Sequence, residues 1–192
     1  MIEQRTKLIH AFGALADLGQ EVANKNNFQE TIRTSLHLIS GSLAIMRGGV
    51  ARYSRYGHEL NMLAVRGLGD DFPLSLSLCL EDERQFLANG LNPIETEHAK
   101  VLPFFQVYDR SFDSRRIELF VPLVIRDEIV GAVFLGEKAT GEPYTSYEKE
   151  IICAMGRHIG VAISQRNLMA EIERHAEENR KLFDDLRTTY ND

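Results

Sequence analysis

The stretch IELFVPLVIRDEIVGAVFLG, residues 117–136, decides the fold. It divides into two apolar runs, 117–125 and 128–136, joined by Arg126-Asp127. Phe120, Val121, Leu123, Val124 and Ile125 fill the first run. Ile129, Val130, Val133, Phe134 and Leu135 fill the second. Two β-rich runs joined by a two-residue polar link read as an antiparallel hairpin. Neither run alternates with polar residues, so both strands belong in the middle of a sheet covered on both faces.

Downstream, a Gly-containing loop at 138–143 leads into a helix-start signal. Pro143 precedes Thr145, with Glu148 three residues later, which is capping-box spacing. No proline follows, and good helix formers dominate as far as Tyr190. The first part of this helix is densely apolar (Ile151, Ile152, Met155, Ile159, Val161, Ala162, Ile163) and suits a helix lying on a core. Beyond Gln165 the apolar residues thin to a seam with spacings of three and four: Leu168, Ile172, His175, Asn179, Leu182 and Leu186. Charged residues fill the intervals. This heptad pattern predicts a two-stranded coil, with Asn179 as a register-fixing polar layer. Its alternative is a solvated amphipathic tail. The division expected is a domain over residues 1–166 and a connector helix over 167–192. Because the helical pattern runs to the last residues, an output domain is expected downstream.

Upstream, residues 5–24 read as a helix with Leu8, Ala11, Leu15, Leu18 and Val22 on one face and Phe12 alongside. Asn27 with Glu30 repeats the capping spacing ahead of a second helix whose face is Phe28, Ile32, Leu36 and Ile39. A hairpin follows, with strands over 44–56 and 59–66 and a turn at Gly57-His58. Gly48-Gly49 marks a bulge or a close backbone approach. Leu74, Leu76 and Leu78 alternate with serines as a short strand. The middle then holds a short helix over 81–88 with acids in its first turn, an extended 92–98, and a short helix or ordered loop over 102–108. Residues 109–115 read as polar connection.

The totals exclude several classes. A chain of 192 residues, 44% hydrophobic and 26% charged, is ordinary for one globular domain with an extension. A net charge of −6 without a basic stripe argues against nucleic acid as a partner. Cys79 and Cys153 are too few for a disulfide framework, and no apolar run spans a bilayer, so a soluble cytoplasmic protein is expected. The six histidines show no metal-ligand spacing, and no nucleophile–base constellation or phosphate loop is present. Cys79 has no neighbour in sequence that would lower its pKa, so a structural thiol is favoured over a redox sensor. Glu95 and Glu97 beside His98 read as a solvated loop.

The order of elements, together with particular motifs, resembles the GAF family of sensory domains, whose architecture is related to PAS. The motifs are Leu63-Ala64-Val65-Arg66-Gly67-Leu68, then Phe120-Val121-Pro122-Leu123 with Ile129-Val130-Gly131-Ala132-Val133-Phe134-Leu135, and Tyr144-Thr145-Ser146-Tyr147-Glu148 through Gly160-Val161-Ala162-Ile163. The resemblance runs from about residue 5 to 168. It implies an α+β fold: a central antiparallel sheet of about six strands, terminal helices on one face, a variable roof enclosing a small-molecule pocket on the other, and a long C-terminal helix. It also implies homodimerisation through the first and last helices. Glu137-Lys138, Tyr144 and Tyr147-Glu148 depart from the cyclic-nucleotide signature of the family, and neither cysteine has the histidine neighbour of bilin-attaching members. A cyclic nucleotide and a covalent bilin are therefore not expected, and the ligand is left open.

The pocket residues expected are Tyr53, Phe104, Phe105, Tyr108 and Arg116, which fall in or beside the roof. The alternative for Phe104 and Phe105 is ordinary core. The function expected is that of a non-catalytic, small-molecule-sensing input domain. It would act in a homodimer and pass ligand state through the exit helix to an output domain such as HD-GYP, diguanylate cyclase or histidine kinase. The competing expectation is a ligand-free dimerisation scaffold. An open roof favours the sensor; collapse of Phe104, Phe105 and Tyr108 into the roof favours the scaffold.

Overall fold

Ile117–Ile125 and Glu128–Gly136 form the expected hairpin in the computed structural model, which describes residues 28–189, with side chains to Leu182. The expected helix over 5–24, and Asn27, lie outside the described residues. In chain order the elements are α1 (Phe28–Ser42), β1 (Gly48–Ser54), β2 (Glu59–Arg66), β3 (Ser75–Ser77), α2 (Leu80–Asn89), β4 (Ile94–Glu95), α3 (Pro103–Arg115), β5 (Ile117–Ile125), β6 (Glu128–Gly136) and α4 (Ser146–Thr189). All strand pairs are antiparallel, in one six-stranded sheet of order β3-β2-β1-β6-β5-β4. The fold is α+β, with β6 and β1 at the centre and the short β4 and β3 at the edges.

Local chemistry explains the joins. Arg126 and Asp127 both have positive φ, 51° and 62°, the geometry of a two-residue hairpin turn that matches the strand twist. A side chain at Gly131 would put its Cβ 2.2 Å from the Ala51 carbonyl oxygen, so glycine there lets β6 close on β1. Gly48 likewise meets the Phe134 carbonyl, 2.8 Å from where its Cβ would stand. The close approach read at Gly48-Gly49 is therefore present. The bulge itself lies further along, where Val50 pairs with Ala64 and Ala51 with Met62, leaving Leu63 as the extra residue on β2.

Two cores flank the sheet. On one face, Ile32, Leu36 and Ile39 of α1 and Ile152, Met155, Ile159 and Ile163 of α4 pack on Val50, Val121, Leu123, Val133 and Leu135. On the other, α2 and α3 lay Phe86, Phe104, Phe105 and Phe112 over Leu60, Phe120 and Phe134. Helix α3 continues to Arg115 through residues expected as a polar connection. Phe104, Tyr108 and Phe112, spaced four apart, turn one face to the sheet while Gln106, Val107 and Arg110 face solvent.

Thr145 and Glu148 form the capping box that starts α4. The Glu148 amide donates to Thr145 Oγ1 at 3.2 Å, and the Thr145 amide donates to Glu148 Oε2 at 2.8 Å. The same carboxylate receives Lys138 Nζ at 3.0 Å on both oxygens, and Lys138 is only 6% exposed. Burial opposes ionisation of Glu148, but the Thr145 and Lys138 hydrogen bonds prevail and hold its carboxyl below the usual carboxylate range. A folded-state value below the unfolded one adds stability above about pH 4.3. That stability is lost as pH falls through the lower folded value. Glu148→Gln is thus expected to melt below the unaltered protein near neutrality and to converge with it as pH falls through the lowered folded value of Glu148. Melting curves taken across this range check it; curves that stay parallel would remove Glu148 as the titrating link.

Candidate functional site

The roof is built by α2, α3 and the loop before them, and one buried carboxylate fixes it. Asp82, 1% exposed, sits in the first turn of α2. Its Oδ2 accepts the Cys79 amide at 2.9 Å, and its Oδ1 accepts the Phe104 amide at 2.9 Å. Helix N-termini carry orphan donors and partial positive charge. Pro103, at the first position of α3, has no N–H, which leaves the Phe104 amide as the donor that needs a partner. One carboxylate therefore satisfies the starts of both roof helices. The sequence grouped Asp82 with Glu81 and Glu83 as dipole-favoured acids. The cue that separates it is its spacing of four from Phe86, which places it on the same buried face.

Beneath the roof the phenylalanine rings touch one another. Phe86 and Phe120 have centroids 4.7 Å apart, Phe104 and Phe105 5.2 Å, Phe104 and Phe120 5.3 Å, and Phe120 and Phe134 5.2 Å. Most of these pairs are edge-on or tilted, the arrangement that aromatic quadrupoles favour. Phe104 and Phe105 are each 1% exposed. Tyr108 lies against Phe104 at 5.2 Å, and its Oη accepts the Ser77 amide at 2.7 Å, pinning α3 to β3.

Tyr53 packs against the rim of this core, and its hydroxyl enters a polar knot. Its Oη donates to Glu83 Oε1 at 2.6 Å, and His58 Nδ1 lies 2.5 Å from the same oxygen. Burial, then the Glu83 hydrogen bond and charge, push the Tyr53 phenol well above its ordinary value, so it stays a donor. The knot joins α2 to β1 and to the β1–β2 turn, where His58 has φ of 47°. Arg116 is elsewhere. It caps α3 in a left-handed conformation and forms an ion pair with Glu137, 2.7 Å away and shared with Arg47. The structure thus gathers Phe104, Phe105 and Tyr108, sets Tyr53 at the rim, and leaves Arg116 outside.

Other candidates resolve into surface links. Glu95 bridges His98, at 2.6 Å, and Lys149 of α4, and the Lys149 hydrogen bond lowers its carboxyl pKa. Cys79 is exposed ahead of α2. No group of three or more potential metal ligands occurs among the described residues, nor is any described helix long and apolar enough to cross a membrane.

Helix α4 has 44 residues, and its character changes along its length. As far as Asn167 it carries buried or half-buried positions; from Leu168 to Leu182 every side chain is exposed. Leu168 and Ile172 are both 59% exposed, and Leu182 is 60%. His175 lies 3.8 Å from Glu171 and 3.4 Å from Glu178. Leu186 lies in the helix, beyond the described side chains. Val161, seven residues before Leu168, is 40% exposed and in register with the seam. It was hidden from sequence reading by the dense apolar run around it. The Tyr56 phenol of the β1–β2 turn raises the Arg174 pKa.

No protein-family model matches the sequence. Among solved structures, the GAF domain of a phosphoenolpyruvate-protein phosphotransferase from Coxiella burnetii superposes with a TM-score of 0.62 at 14% identity, over 85% of this chain and 98% of that one. A GAF domain/HD domain protein from Geobacter sulfurreducens gives 0.56 at 19% identity, over 80% and 98%. Residues 122 to 287 of a methyl-accepting chemotaxis protein give 0.58 at 15% identity, over 79% and 98%. The fold is that of GAF domains.

Proposed function

We propose that this chain, folded as a GAF domain, is a non-catalytic input module of a signalling protein. Residues 1–166 would form the sensory domain. Residues 167–192 would form the connector through which two copies pair and pass their state to an output domain such as HD-GYP, diguanylate cyclase or histidine kinase. The observation that carries this reading is the change in α4 at Leu168: one continuous helix begins as core and ends as an exposed heptad seam. The similar folds of a chemotaxis-protein segment and of the GAF domains of a phosphotransferase and an HD-domain protein support the class.

The β1–β2 turn offers a route from roof to connector. His58 meets Glu83 of α2 at 2.5 Å, and Tyr56 in the same turn acts electrostatically on Arg174 of α4. A shift of α2 would move a turn that touches the exit helix. A stimulus acts through such a link only by favouring one of two arrangements.

What the roof receives is a separate matter. Phe104, Phe105 and Tyr108 fill it, and that packing favours the scaffold reading, in which the domain pairs without a small molecule. Small-molecule sensing would need α3 to lift from Phe120. Native mass spectrometry of the purified protein, before and after denaturation, separates the two. A dimer of bare chains is the expected result. A dimer carrying a mass lost on denaturation would restore the sensor, and a monomer would remove the connector mechanism.

A further inference from the structure

The β1–β2 turn meets the roof at one carboxylate. Glu83 of α2, its side chain 18% exposed, offers Oε1 to two groups: the Tyr53 hydroxyl at 2.6 Å and His58 Nδ1 at 2.5 Å. A carboxylate oxygen only accepts, so the contact assigns a hydrogen to Nδ1. The other ring nitrogen, Nε2, has no hydrogen-bond partner among the described residues, and the His58 side chain is half-exposed. A proton can therefore enter or leave Nε2 without breaking the bond at Nδ1. What changes is charge: the bond to Glu83 comes from a neutral ring or from a cation, and the charge-assisted bond is the stronger. The backbone holds the ring in place, because the His58 carbonyl accepts the amide of Leu78, two residues ahead of α2, at 2.7 Å.

The other charged or titratable groups around the turn are Tyr53, Arg55, Tyr56 and Glu59, with Glu83 on α2 and Arg174 on α4. Burial and the Glu83 bond keep the Tyr53 phenol neutral. Arg55 lies 3.7 Å from Glu128, and hydrogen bonds from Ser75 and Asn61 hold Glu59 below the usual carboxylate range. Carboxylates, phenols and guanidinium groups ordinarily titrate outside pH 5–8, and an imidazole within it. We propose that His58 and Glu83 form a proton-operated latch between the β1–β2 turn and roof helix α2, tight when the imidazole is a cation and looser when it is neutral. The latch belongs to the single folded chain and needs no partner. Its reach into α4 runs through Tyr56, which acts on Arg174, and that step alone rests on the connector reading. Acidification then favours the arrangement in which α2 and the turn are tied.

The test compares thermal unfolding at about pH 5.5 and about pH 8 for the unaltered chain, His58→Asn, Glu83→Gln and the double variant. Asparagine tolerates the left-handed backbone of His58, φ 47°, so the ring is removed without straining the turn. His58→Asn is expected to lower the melting temperature by about 2–4 °C at the acid pH and by about 1 °C or less at the alkaline one. In the Glu83→Gln background the same substitution should cost equal amounts at both. His98 and His175 also meet carboxylates, but they are common to the whole set and cancel from each difference. Tyr53→Phe, which removes the other donor to Glu83, should leave the pH dependence in place. A His58→Asn loss that is equal at the two pH values, or that keeps its pH dependence without Glu83, overturns the latch. Sedimentation velocity of the unaltered chain and His58→Asn at the acid pH separates the two readings: a changed melting temperature with unchanged association would count against the step to α4 and leave the latch standing.

Discussion

Asp82→Ala is expected to destabilise the domain by about 2–4 kcal/mol, lowering its melting temperature by roughly 5–15 °C. The reasoning is local. The Asp82 carboxylate is 1% exposed and accepts two backbone amides at 2.9 Å, one from the turn that begins α2 and one from the first turn of α3. Hydrogen bonds to a carboxylate are stronger than neutral ones, and alanine would leave the buried Phe104 amide without a partner and the part-buried Cys79 amide to water. Asp82→Asn would keep one acceptor and turn an amide hydrogen toward the other donor, so an intermediate loss is expected. Glu81→Ala, one residue away and exposed, should change stability by no more than about 0.5 kcal/mol. Thermal unfolding of the three variants decides it. The roof helices hold Phe86, Phe104 and Phe105 over the sheet, so Asp82→Ala should also raise binding of an apolar dye while far-ultraviolet circular dichroism is largely kept. Equal melting of Asp82→Ala and Glu81→Ala would show that the two helices are held by ring packing alone.

Legibility followed what each residue needs from its surroundings. Residues 117–136 were readable because strands buried on both faces demand apolar residues at nearly every position, and no competing element has that pattern at that length. The start of α4 was readable because capping is local, and Thr145 and Glu148 carry it within four residues. The second half of α3 was not. Its polar residues Arg110, Asp113 and Ser114 face solvent, and only Tyr108 and Phe112 record the helical period. Gly48-Gly49 reads as a bulge or a close approach because glycine reports freedom of the backbone, and the close approach is what occurs there, whereas Leu63 is extra only by virtue of its partner strand. The site residues show the same division. Position in the roof predicted Phe104, Phe105 and Tyr108 as neighbours, but which groups they face depends on contacts between distant segments. Asp82 shows this most plainly: its two amide partners are Cys79 and Phe104, and Phe104 lies 22 residues away.

Ile172→Glu is expected to turn a dimer into a monomer, raising the dissociation constant at least about a hundred-fold, or roughly 2.7 kcal/mol. In the seam of α4, Val161, Leu168, His175 and Leu182 alternate with Gln165, Ile172, Asn179 and Leu186 at spacings of four and three. On this register Ile172 is the β-branched residue at the position that favours two strands, flanked by Leu168 and by a polar pair, His175 and Asn179. Replacing it would place two carboxylates opposite each other between these layers, adding repulsion and desolvation to the loss of apolar area. Asn179→Leu should act the other way, tightening association while relaxing register, because the polar layer gives up stability for a single alignment. Glu171 and Glu178 flank His175 on the same helix, and an antiparallel partner would bring their acidic edge against its own copy, so the parallel pair is expected. Sedimentation velocity over a concentration series reads all three. If the unaltered chain and Ile172→Glu sediment alike, the exposed leucines and isoleucine of α4 face something other than a second copy. The two polar layers matter most when the pair does form: a seam held by Leu168, Ile172 and Leu182 but weakened at His175 and Asn179 keeps one alignment at low stability, so paired and separated arrangements lie close in free energy, and a switch needs that near-balance.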